Sequence, residues 1–265
     1  MKQAKEIMMI KEELCIGCGL CAADCIREAI ALNNGKAFLR PVECNSCGHC
    51  YAICPRDAVA YADSREVPQP AGAMPSAGDM EWLMKSRRSM RHFLPESIPR
   101  EDLEKIMEIG RYCPTARNSQ DVSFKVLTGT LRELESLLDE KLLAAQEASG
   151  QPPQGERIRD GYIFRKAPAA ILIFSPTPVN GALAAAYMEL YAQTLGYGVL
   201  YVGRLITALR QFPQLRELAG LCEGEEPVAC IALGRPGMHY GRIPRRDPLK
   251  AAYIGKAAAD PSSES

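Results

Sequence analysis

The sequence has no excess of either charge, no apolar run of membrane length and no apolar leader core at its start. Its 32 Lys and Arg residues are matched by 32 Asp and Glu residues, which argues against a nucleic-acid binder because such proteins work through surplus basic side chains. The longest apolar run, around 167–174, has the length of a buried strand and falls short of the ~20 residues that span a bilayer. The first residues, MKQAKEIMMIKEEL, lack a signal-peptide core. We therefore expect a cytoplasmic protein that binds neither nucleic acid nor membrane.

Cysteine, in contrast, is abundant and clustered. Of the 11 cysteines, eight lie in two runs that both read C-x2-C-x2-C-x3-C. The runs are Cys15, Cys18, Cys21, Cys25 and Cys44, Cys47, Cys50, Cys54. The segment CIREAIA, which begins at Cys25, matches CPRDAVA, which begins at Cys54, and Gly19 matches Gly48. This self-similarity indicates an internal duplication of one cysteine-bearing unit.

Three kinds of cysteine site are compatible with two such runs. A disulfide framework suits secreted chains, and this chain shows no route out of the cytosol. Zinc sites usually use paired C-x2-C units, and a third cysteine three residues further on is not part of that pattern. An iron–sulfur cluster remains, because three closely spaced thiolates can surround one corner of a cubane while the fourth ligand comes from elsewhere.

The two runs resemble those of bacterial two-cluster ferredoxins, whose fourth cysteine serves the other cluster. The resemblance implies one 4Fe–4S cluster on Cys15, Cys18, Cys21 and Cys54, and a second on Cys44, Cys47, Cys50 and Cys25. One position departs from the pattern, since Pro55 follows Cys54 but Ile26 stands where the first run would have its proline. That change loosens the turn without removing a ligand. We expect His49 to be a surface or hydrogen-bonding residue and not a ligand.

The cysteine-bearing unit is followed by a segment that cannot form a core. Residues 65–79 read REVPQPAGAMPSAGD, with three prolines, two glycines and no aromatic residue, which is typical of a linker. We therefore predict a two-cluster domain at 1–64, a linker at 65–79 and a second domain at 80–265. In the second domain we predict helices at 99–113, 130–148 and 180–195, strands at 122–127, 169–174 and 227–233, and a flexible loop at 147–156. This pattern favours an α+β or α/β domain.

The second domain carries one concentrated group of phosphate-binding side chains. Arg87, Arg88, Ser89 and Arg91 place three guanidinium groups and a hydroxyl within five residues. Guanidinium groups match phosphate oxygens bidentately, so the group can bind a polyanion. Taken alone, a basic turn is more often solvated surface.

Further segments occur in a characteristic order after this group. They are a P-T-A-R-N-S-Q loop with Asn118 and Gln120, a small-residue helix that exits through LGYGVLYVG at Gly203, and a basic pair, Arg245 and Arg246. Together with R-R-S-x-R they resemble the nitroreductase family of FMN enzymes over residues 80–250. The resemblance implies a nitroreductase-like α/β sandwich and a homodimer with two FMN sites, each built from both subunits.

The same resemblance assigns residues to the flavin. Arg87, Arg88, Ser89 and Arg91 would contact the ribityl phosphate and the pyrimidine edge. Asn118, in one loop with Gln120, would face the isoalloxazine, and backbone amides near Val202 and Gly203 would approach N5 and O4. Arg245 or Arg246 would return to the phosphate, and Arg246 fits better. Many relatives have Q-P-W after the Asn loop, whereas this chain has Gln120-Asp121-Val122, so the wall of the substrate pocket is not predicted.

Other motifs receive simpler interpretations. The glycines of GYGVLY lack the third glycine of a dinucleotide loop and follow a helix, so we interpret them as a helix stop. We expect Cys113, Cys222 and Cys230 to be buried small hydrophobes, with a reactive role open for Cys113 because it borders the presumed flavin loop. We expect the last residues, AAADPSSES, to be disordered.

These patterns predict a flavin-dependent oxidoreductase that passes electrons between two 4Fe–4S clusters and FMN. The substrate would be a small electrophilic organic compound of nitro, quinone or enone type. Two alternatives remain open: an electron-transfer adaptor without catalysis, and an NAD(P)H-fed flavin enzyme whose clusters carry electrons out. NAD(P)H or an external redox protein would be the partner. No side chain stands out as a catalytic acid or base.

Overall fold

The computed structural model describes residues 3–63, 73–149 and 161–254. We call 3–63 the N-terminal lobe and 73–254 the C-terminal lobe. Most of the predicted linker, residues 65–72, lies outside the described residues, as do the predicted disordered end at 257–265 and most of the predicted loop at 147–156.

The N-terminal lobe consists of two similar halves. Its elements are α1 (Ala4–Ile7), β1 (Met8–Ile10), α2 (Leu20–Ala23), β2 (Ile30–Asn33), β3 (Lys36–Leu39), α3 (His49–Ala52) and β4 (Val59–Tyr61). β1 pairs with β4 and β2 with β3, both antiparallel. Gly19 precedes α2 at φ +81° and Gly48 precedes α3 at φ +74°. The matched glycines therefore start the equivalent helices in the two halves with the same left-handed backbone.

The C-terminal lobe starts earlier than its predicted boundary. Helix α4 (Ala77–Ser86) begins inside the segment predicted to be linker. Ser76 Oγ accepts a hydrogen bond from the Asp79 amide at 3.1 Å, and the Asp79 carboxylate accepts one from the Ser76 amide at 3.3 Å. This reciprocal capping box nucleates the helix although its first residues are Ala and Gly.

The remainder of the C-terminal lobe is a four-stranded sheet covered by helices. Its elements are α5 (Arg100–Gly110), a 3-10 turn (Ala116–Asn118), β5 (Ser123–Thr128), α6 (Leu131–Ser149), β6 (Ala169–Phe174), α7 (Pro178–Thr194), β7 (Gly198–Tyr201), α8 (Gly203–Gln211), α9 (Pro213–Leu218) and β8 (Pro227–Gly234). The strand order is β5-β6-β8-β7, and each neighbouring pair is antiparallel. The mixed helix-and-sheet class expected from the sequence is confirmed.

Strand β6 shows how the sheet divides the core into two layers. All six of its residues are buried. Ala170, Leu172 and Phe174 pack in the cluster that contains residues of α6, α8 and α9. The alternate residues Ala169, Ile171 and Ile173 pack in the cluster that contains residues of α5 and α7. Both faces are apolar because both are covered, which explains the continuous apolar run in the sequence.

The helices and strands predicted for the second domain agree with the observed ones to within a few residues, but helices α8 and α9 and strand β7 were not predicted. The sequence of β7 follows the glycines that end α7. Gly196 has φ +79°, and the amide of Tyr197 donates to the carbonyl of Ala192 at 2.9 Å, which is a Schellman end. The chain then turns directly into the edge strand. Among the helices of the three described ranges, none has the length and hydropathy to span a membrane.

Candidate functional site

The eight clustered cysteines surround two separate cavities in the N-terminal lobe. The first cysteine cavity is lined by Cys15, Cys18, Cys21 and Cys54. The second cysteine cavity is lined by Cys25, Cys44, Cys47 and Cys50. Each cavity thus takes three cysteines from one run and the last cysteine from the other. The fold brings together the same sets of four that the ferredoxin resemblance implies.

Backbone amides point at the sulfur atoms in both cavities. The amides of Ala37 and Ala58 donate to the sulfurs of Cys15 and Cys54 at 3.4 and 3.3 Å. In the second cavity, the amides of Ala29 and Ser46 donate to the sulfurs of Cys25 and Cys44 at 3.3 and 3.4 Å. The Ala37 hydrogen bond lowers the pKa of the Cys15 thiol. Such bonds stabilise thiolates that ligate a cluster and tune its potential.

The cysteine arrangement does not fit a single zinc ion. Zinc draws four ligands to about 2.3 Å from one centre, whereas no three metal-binding side chains of the described residues lie close enough to share one ion. Burial raises the pKa of the Cys50 thiol to about 11, and the neighbouring Cys44, Cys47 and Cys25 sulfurs add to that rise. Such crowded thiols ionise beside a positive centre, and four cysteine thiolates are the donor set that a 4Fe–4S cluster takes.

The basic segment of the C-terminal lobe is held along the edge of the sheet. Ser89 forms a parallel bridge with Val199 of β7, and the Met90 amide donates to the Val199 carbonyl at 2.9 Å. Arg87 and Arg88 line a cavity of about 330 Å³ beside this bridge. That volume lies at the low end of the roughly 300–1,000 Å³ common for small-molecule sites.

Arg88 has the features expected of a phosphate ligand. Its Nη1 donates to the carbonyl of Lys85 at 3.0 Å and to the carbonyl of Arg87. Its Nη2 is buried and has no hydrogen-bond partner among the described residues. A buried cationic donor without a partner is costly, so an anion at this position would remove the penalty. The phosphate of FMN fits this requirement.

Arg87 is instead paired inside the protein. Its Nη1 lies 2.8 Å from Oε1 of Glu189 on α7, a residue only 4% exposed. Burial raises the pKa of Glu189 although Arg87 opposes that rise. The Tyr201 hydroxyl also bonds to Glu189, and burial raises the pKa of Tyr201. The sequence interpretation missed Glu189, whose only signal is a lone charge in an otherwise apolar helix.

The other residues predicted to contact the flavin differ in whether their donor groups are free to bind a ligand. The Val202 amide already donates to the Cys230 carbonyl at 2.8 Å, so of the two predicted amides only that of Gly203 can face a ligand. A Cβ at Gly203 would meet nothing within 4 Å, which leaves open space at the start of α8. Ser89 and Arg91 are exposed at the basic segment.

The late basic pair is not among the described residues that line the cavity beside Arg87 and Arg88. Arg245 and Arg246 are exposed and belong to a stretch without helix or strand. Instead, Met238, His239 and Tyr240 from the same C-terminal segment line that cavity.

The predicted flavin loop contacts the N-terminal lobe. The Asn118 side-chain amide donates to the carbonyls of Asn45 and Ser46 at 3.2 and 2.9 Å. Those two residues lie between Cys44 and Cys47 in the chain. Asn118 and Gln120 adopt φ values of +53° and +48°. A flavin contact of Asn118 stays a prediction, but its amide nitrogen is committed to the cysteine loop.

Models of two families match this chain. The model described as the nitroreductase family matches residues 84–235, which is more than half of the chain. The chain belongs to the nitroreductase family. The model of a 4Fe-4S dicluster domain matches residues 14–59, the region that contains all eight clustered cysteines. Family membership classes the chain with FMN-dependent oxidoreductases.

Individual relatives cover parts of this nitroreductase-family chain. The chloronitrobenzene nitroreductase of Comamonas testosteroni is 33% identical over 89 residues, 34% of this chain and 37% of that protein. The 4-nitrobenzoate reductase of Pseudomonas putida is 38% identical over 60 residues, 23% of this chain and 26% of that protein. The matches thus span about a third or less of these curated relatives. The crystal structure of a nitroreductase with bound FMN from Bacteroides fragilis has a TM-score of 0.53 and 23% identity, covering 68% of this chain and 99% of that one, which shows the fold.

Asp121, at the position where the family resemblance implies proline, anchors the end of the predicted flavin loop. Its carboxylate accepts from Asn180 Nδ2 at 3.0 Å, Ser175 Oγ at 3.1 Å and Ser119 Oγ at 3.0 Å. The Asn180 bond is the main cause that lowers the pKa of Asp121, and the serine bonds add to it. The loop is thereby tied to the start of α7. The sequence shows the departure at this position but carries no signal for its three partners.

The remaining single residues confirm two predictions and correct one. His49 is exposed and its Nδ1 lies 3.0 Å from Asp24 Oδ2, as expected of a hydrogen-bonding residue. Cys113 and Cys230 are buried as predicted, and burial raises the pKa of the Cys113 thiol, which disfavours the reactive thiolate. Cys222 was predicted to be buried, but it is exposed because it lies in the turn between α9 and β8.

Proposed function

We propose that this chain is a flavin-dependent oxidoreductase that passes electrons between two 4Fe–4S clusters and FMN and reduces a small electrophilic organic substrate. The substrate class is a nitro, quinone or enone compound. The observation that carries the proposal is the presence, in one chain, of two four-cysteine cavities and a nitroreductase fold with an unpartnered arginine donor. Clusters carry single electrons, whereas bound FMN accepts single electrons and delivers two.

The chain's own residues hold and orient the groups. We assign the 4Fe–4S ligands as above. We assign residues 1–64 to the cluster domain and 80–265, together with the first turn of α4 and its capping residue Ser76, to the flavin domain, which leaves the rest of 65–79 as the linker. Arg88 is assigned to the FMN phosphate through its free Nη2. Ser89 and Arg91 are exposed beside it and supply further donors. Glu189 and Tyr201 orient Arg87 at the wall of the same cavity.

A second group of assigned residues concerns the flavin ring and the subunit interface. The Gly203 amide at the start of α8 is assigned to the ring edge, where the absence of a side chain permits close approach. Asn118 and Gln120 are assigned to the loop next to the ring. Arg245 and Arg246 are exposed in this chain, and we assign them to a phosphate in a homodimer, in which each FMN site contains residues of both subunits.

The decisive experiment is anaerobic reduction of the purified protein with both cofactor types present. A low-potential one-electron donor such as dithionite-reduced ferredoxin should bleach the clusters and the flavin, and oxidised flavin should return when a nitroarene, a quinone or an enone is added. NAD(P)H alone should reduce neither group. Reduction of the flavin by NAD(P)H first would support the alternative in which clusters carry electrons out. Reoxidation by none of the three substrate classes would support a non-catalytic adaptor.

A further inference from the structure

The two cysteine loops are equivalent by duplication but have opposite surroundings. Ile16 follows the first cysteine of the first run and is 61% exposed, whereas Asn45, at the equivalent place in the second run, is 8% exposed. The next equivalent pair is Gly17 and Ser46, with φ values of +68° and +54°. The backbone is thus shared, and the difference in burial comes from what covers the second loop.

A cavity of about 550 Å³ lies between the lobes and borders the second cysteine cavity. Cys44, Asn45 and Ser46 line this interlobe cavity from the N-terminal lobe, and residues 116–119 line it from the C-terminal lobe. Cys44 and Asn45 also line the second cysteine cavity. The two cavities therefore share a wall. The residues described around the first cysteine cavity include none that lines the interlobe cavity.

Asn118 holds this arrangement together. Among hydrogen bonds between described residues, two cross from one lobe to the other, and both are donated by the Asn118 amide. Ser46 accepts one of them through its carbonyl, and its own amide donates to the Cys44 sulfur at 3.4 Å. A single residue therefore connects the flavin loop to a cluster ligand.

We propose that the second cysteine cavity holds the cluster that exchanges electrons with the flavin, and that Asn118 is the positioning residue that keeps the two at working distance. The proposal rests on the proposed function. Each crossing oxidises this cluster by one electron and reduces the flavin by one. The cluster is refilled through the first cluster by a low-potential one-electron donor. Two crossings provide the two electrons that the substrate takes up with two protons from solvent.

The first test measures the cluster potentials, because they respond without any turnover. Asn118→Gly removes the amide but keeps the left-handed backbone free of strain. Asn34→Gly is the matched control, since Asn34 is an exposed asparagine at φ +47° on the β2–β3 turn. In redox titrations followed by electron paramagnetic resonance, Asn118→Gly should shift the potential of one cluster and Asn34→Gly of neither. The shifted signal should be the one that Cys25→Ser abolishes.

The second test measures the rate at which the flavin is reduced after the clusters. In rapid mixing with a limiting amount of reduced ferredoxin, Asn118→Gly should slow flavin bleaching about tenfold. The loss of two neutral hydrogen bonds lowers, by that order, the fraction of molecules in which the second cysteine loop contacts the C-terminal lobe. Asn118→Gln, which retains the donor, should recover part of the rate. Iron and sulfide content should stay at the wild-type values, and each variant is brought to full FMN content by reconstitution before mixing.

The outcomes separate this inference from the proposed function. If the flavin of the wild-type protein is never reduced through the clusters, the proposed function is wrong and the proposed route through Asn118 is wrong with it. If wild-type flavin is reduced but Asn118→Gly matches Asn34→Gly in rate and in both potentials, the route through Asn118 is overturned. A shift confined to the cluster that Cys25→Ser leaves intact would overturn it as well.

Discussion

The two cysteine repeats of the N-terminal lobe share their spacing and local backbone, yet they pack against different neighbours. A Cβ at Gly17 would lie 2.0 Å from the carbonyl oxygen of Gly35, so the first loop packs against the β2–β3 turn of its own lobe. The equivalent residue of the second loop, Ser46, has a side chain and accepts a bond from Asn118 of the other lobe.

This difference shows which features of the duplicated unit stay the same in both copies and which differ between them. The cysteine spacing and the left-handed positions determine the ligand geometry, and both repeats keep them. The outer surface of each loop is not needed for ligation, so one loop can close its own lobe while the other forms an interface. In the loop of the first run, Ile16 stays exposed.

The strongest test of the comparison replaces the exchanged ligands. Wild-type protein should contain about eight irons and eight acid-labile sulfides per chain, because two cubanes are implied. Cys25→Ser should destroy the cluster of the second run, and Cys54→Ser that of the first. Iron analysis and electron paramagnetic resonance of the reduced proteins measure both. Damage confined to the substituted residue's own run, or about four irons with zinc present in wild type, would contradict the exchange.

A second pair of variants compares the loop glycine with its serine counterpart. Gly17→Ala should destabilise the protein by roughly 3 kcal/mol or more, because the new Cβ meets backbone and the left-handed conformation adds strain. Ser46→Ala should change stability by less than about 0.5 kcal/mol. Anaerobic denaturant titrations that follow cluster absorbance measure this. Equal decreases in the free energy of unfolding of the two variants would show that the two loops are packed alike.

A third prediction compares the two lobes and asks whether their cofactors bind independently. Arg88→Ala should weaken FMN by about 1.5–3 kcal/mol, roughly ten- to hundredfold, because it removes the buried donor. Riboflavin, which has no phosphate, should be affected much less, and cluster content should not change. Titration of flavin fluorescence measures both ligands. Arg100→Ala, which removes an exposed arginine at the start of α5, is the control, and an equal effect there would contradict the assignment of Arg88 to the phosphate. Arg87→Ala should weaken FMN less than Arg88→Ala, because Arg87 is already paired with Glu189.

The smallest expected effect is a pH dependence at the anchor of the flavin loop. Hydrogen bonds from Asn180, Ser119 and Ser175 lower the pKa of Asp121. The contribution of the Asp121 carboxylate to the free energy of unfolding is therefore present above the ordinary aspartate pKa of about 4. It is lost as the pH falls through the lower pKa that Asp121 has in the folded protein. Asp121→Asn should lower the Tm by a few degrees at neutral pH. The difference in Tm between Asp121→Asn and wild type should shrink at acid pH. A difference in Tm that grows at acid pH would contradict a stabilising role for the ionised Asp121.

Most of the structural features that could be predicted depend on residues close together in the sequence. The two-cluster unit, the cysteine sets, strand β6 and helices α5 and α7 depend on residues close together in the chain or on a repeated unit. The capping box at Ser76 is equally local, but Pro and Gly nearby obscured it. Strand β7 was hidden because the glycines that end α7 are followed at once by a four-residue strand.

Spacing along the chain is enough to identify the residues that can ligate iron and those that can bind phosphate, because it places those chemical groups together. The packing of the chain sets which cysteine loop faces the C-terminal lobe, that Glu189 pairs with Arg87, and that Asn118 binds the Asn45 and Ser46 carbonyls. These contacts join residues far apart in the chain. Their partners are set by how the lobes and helices pack, and no local periodicity or motif encodes that packing.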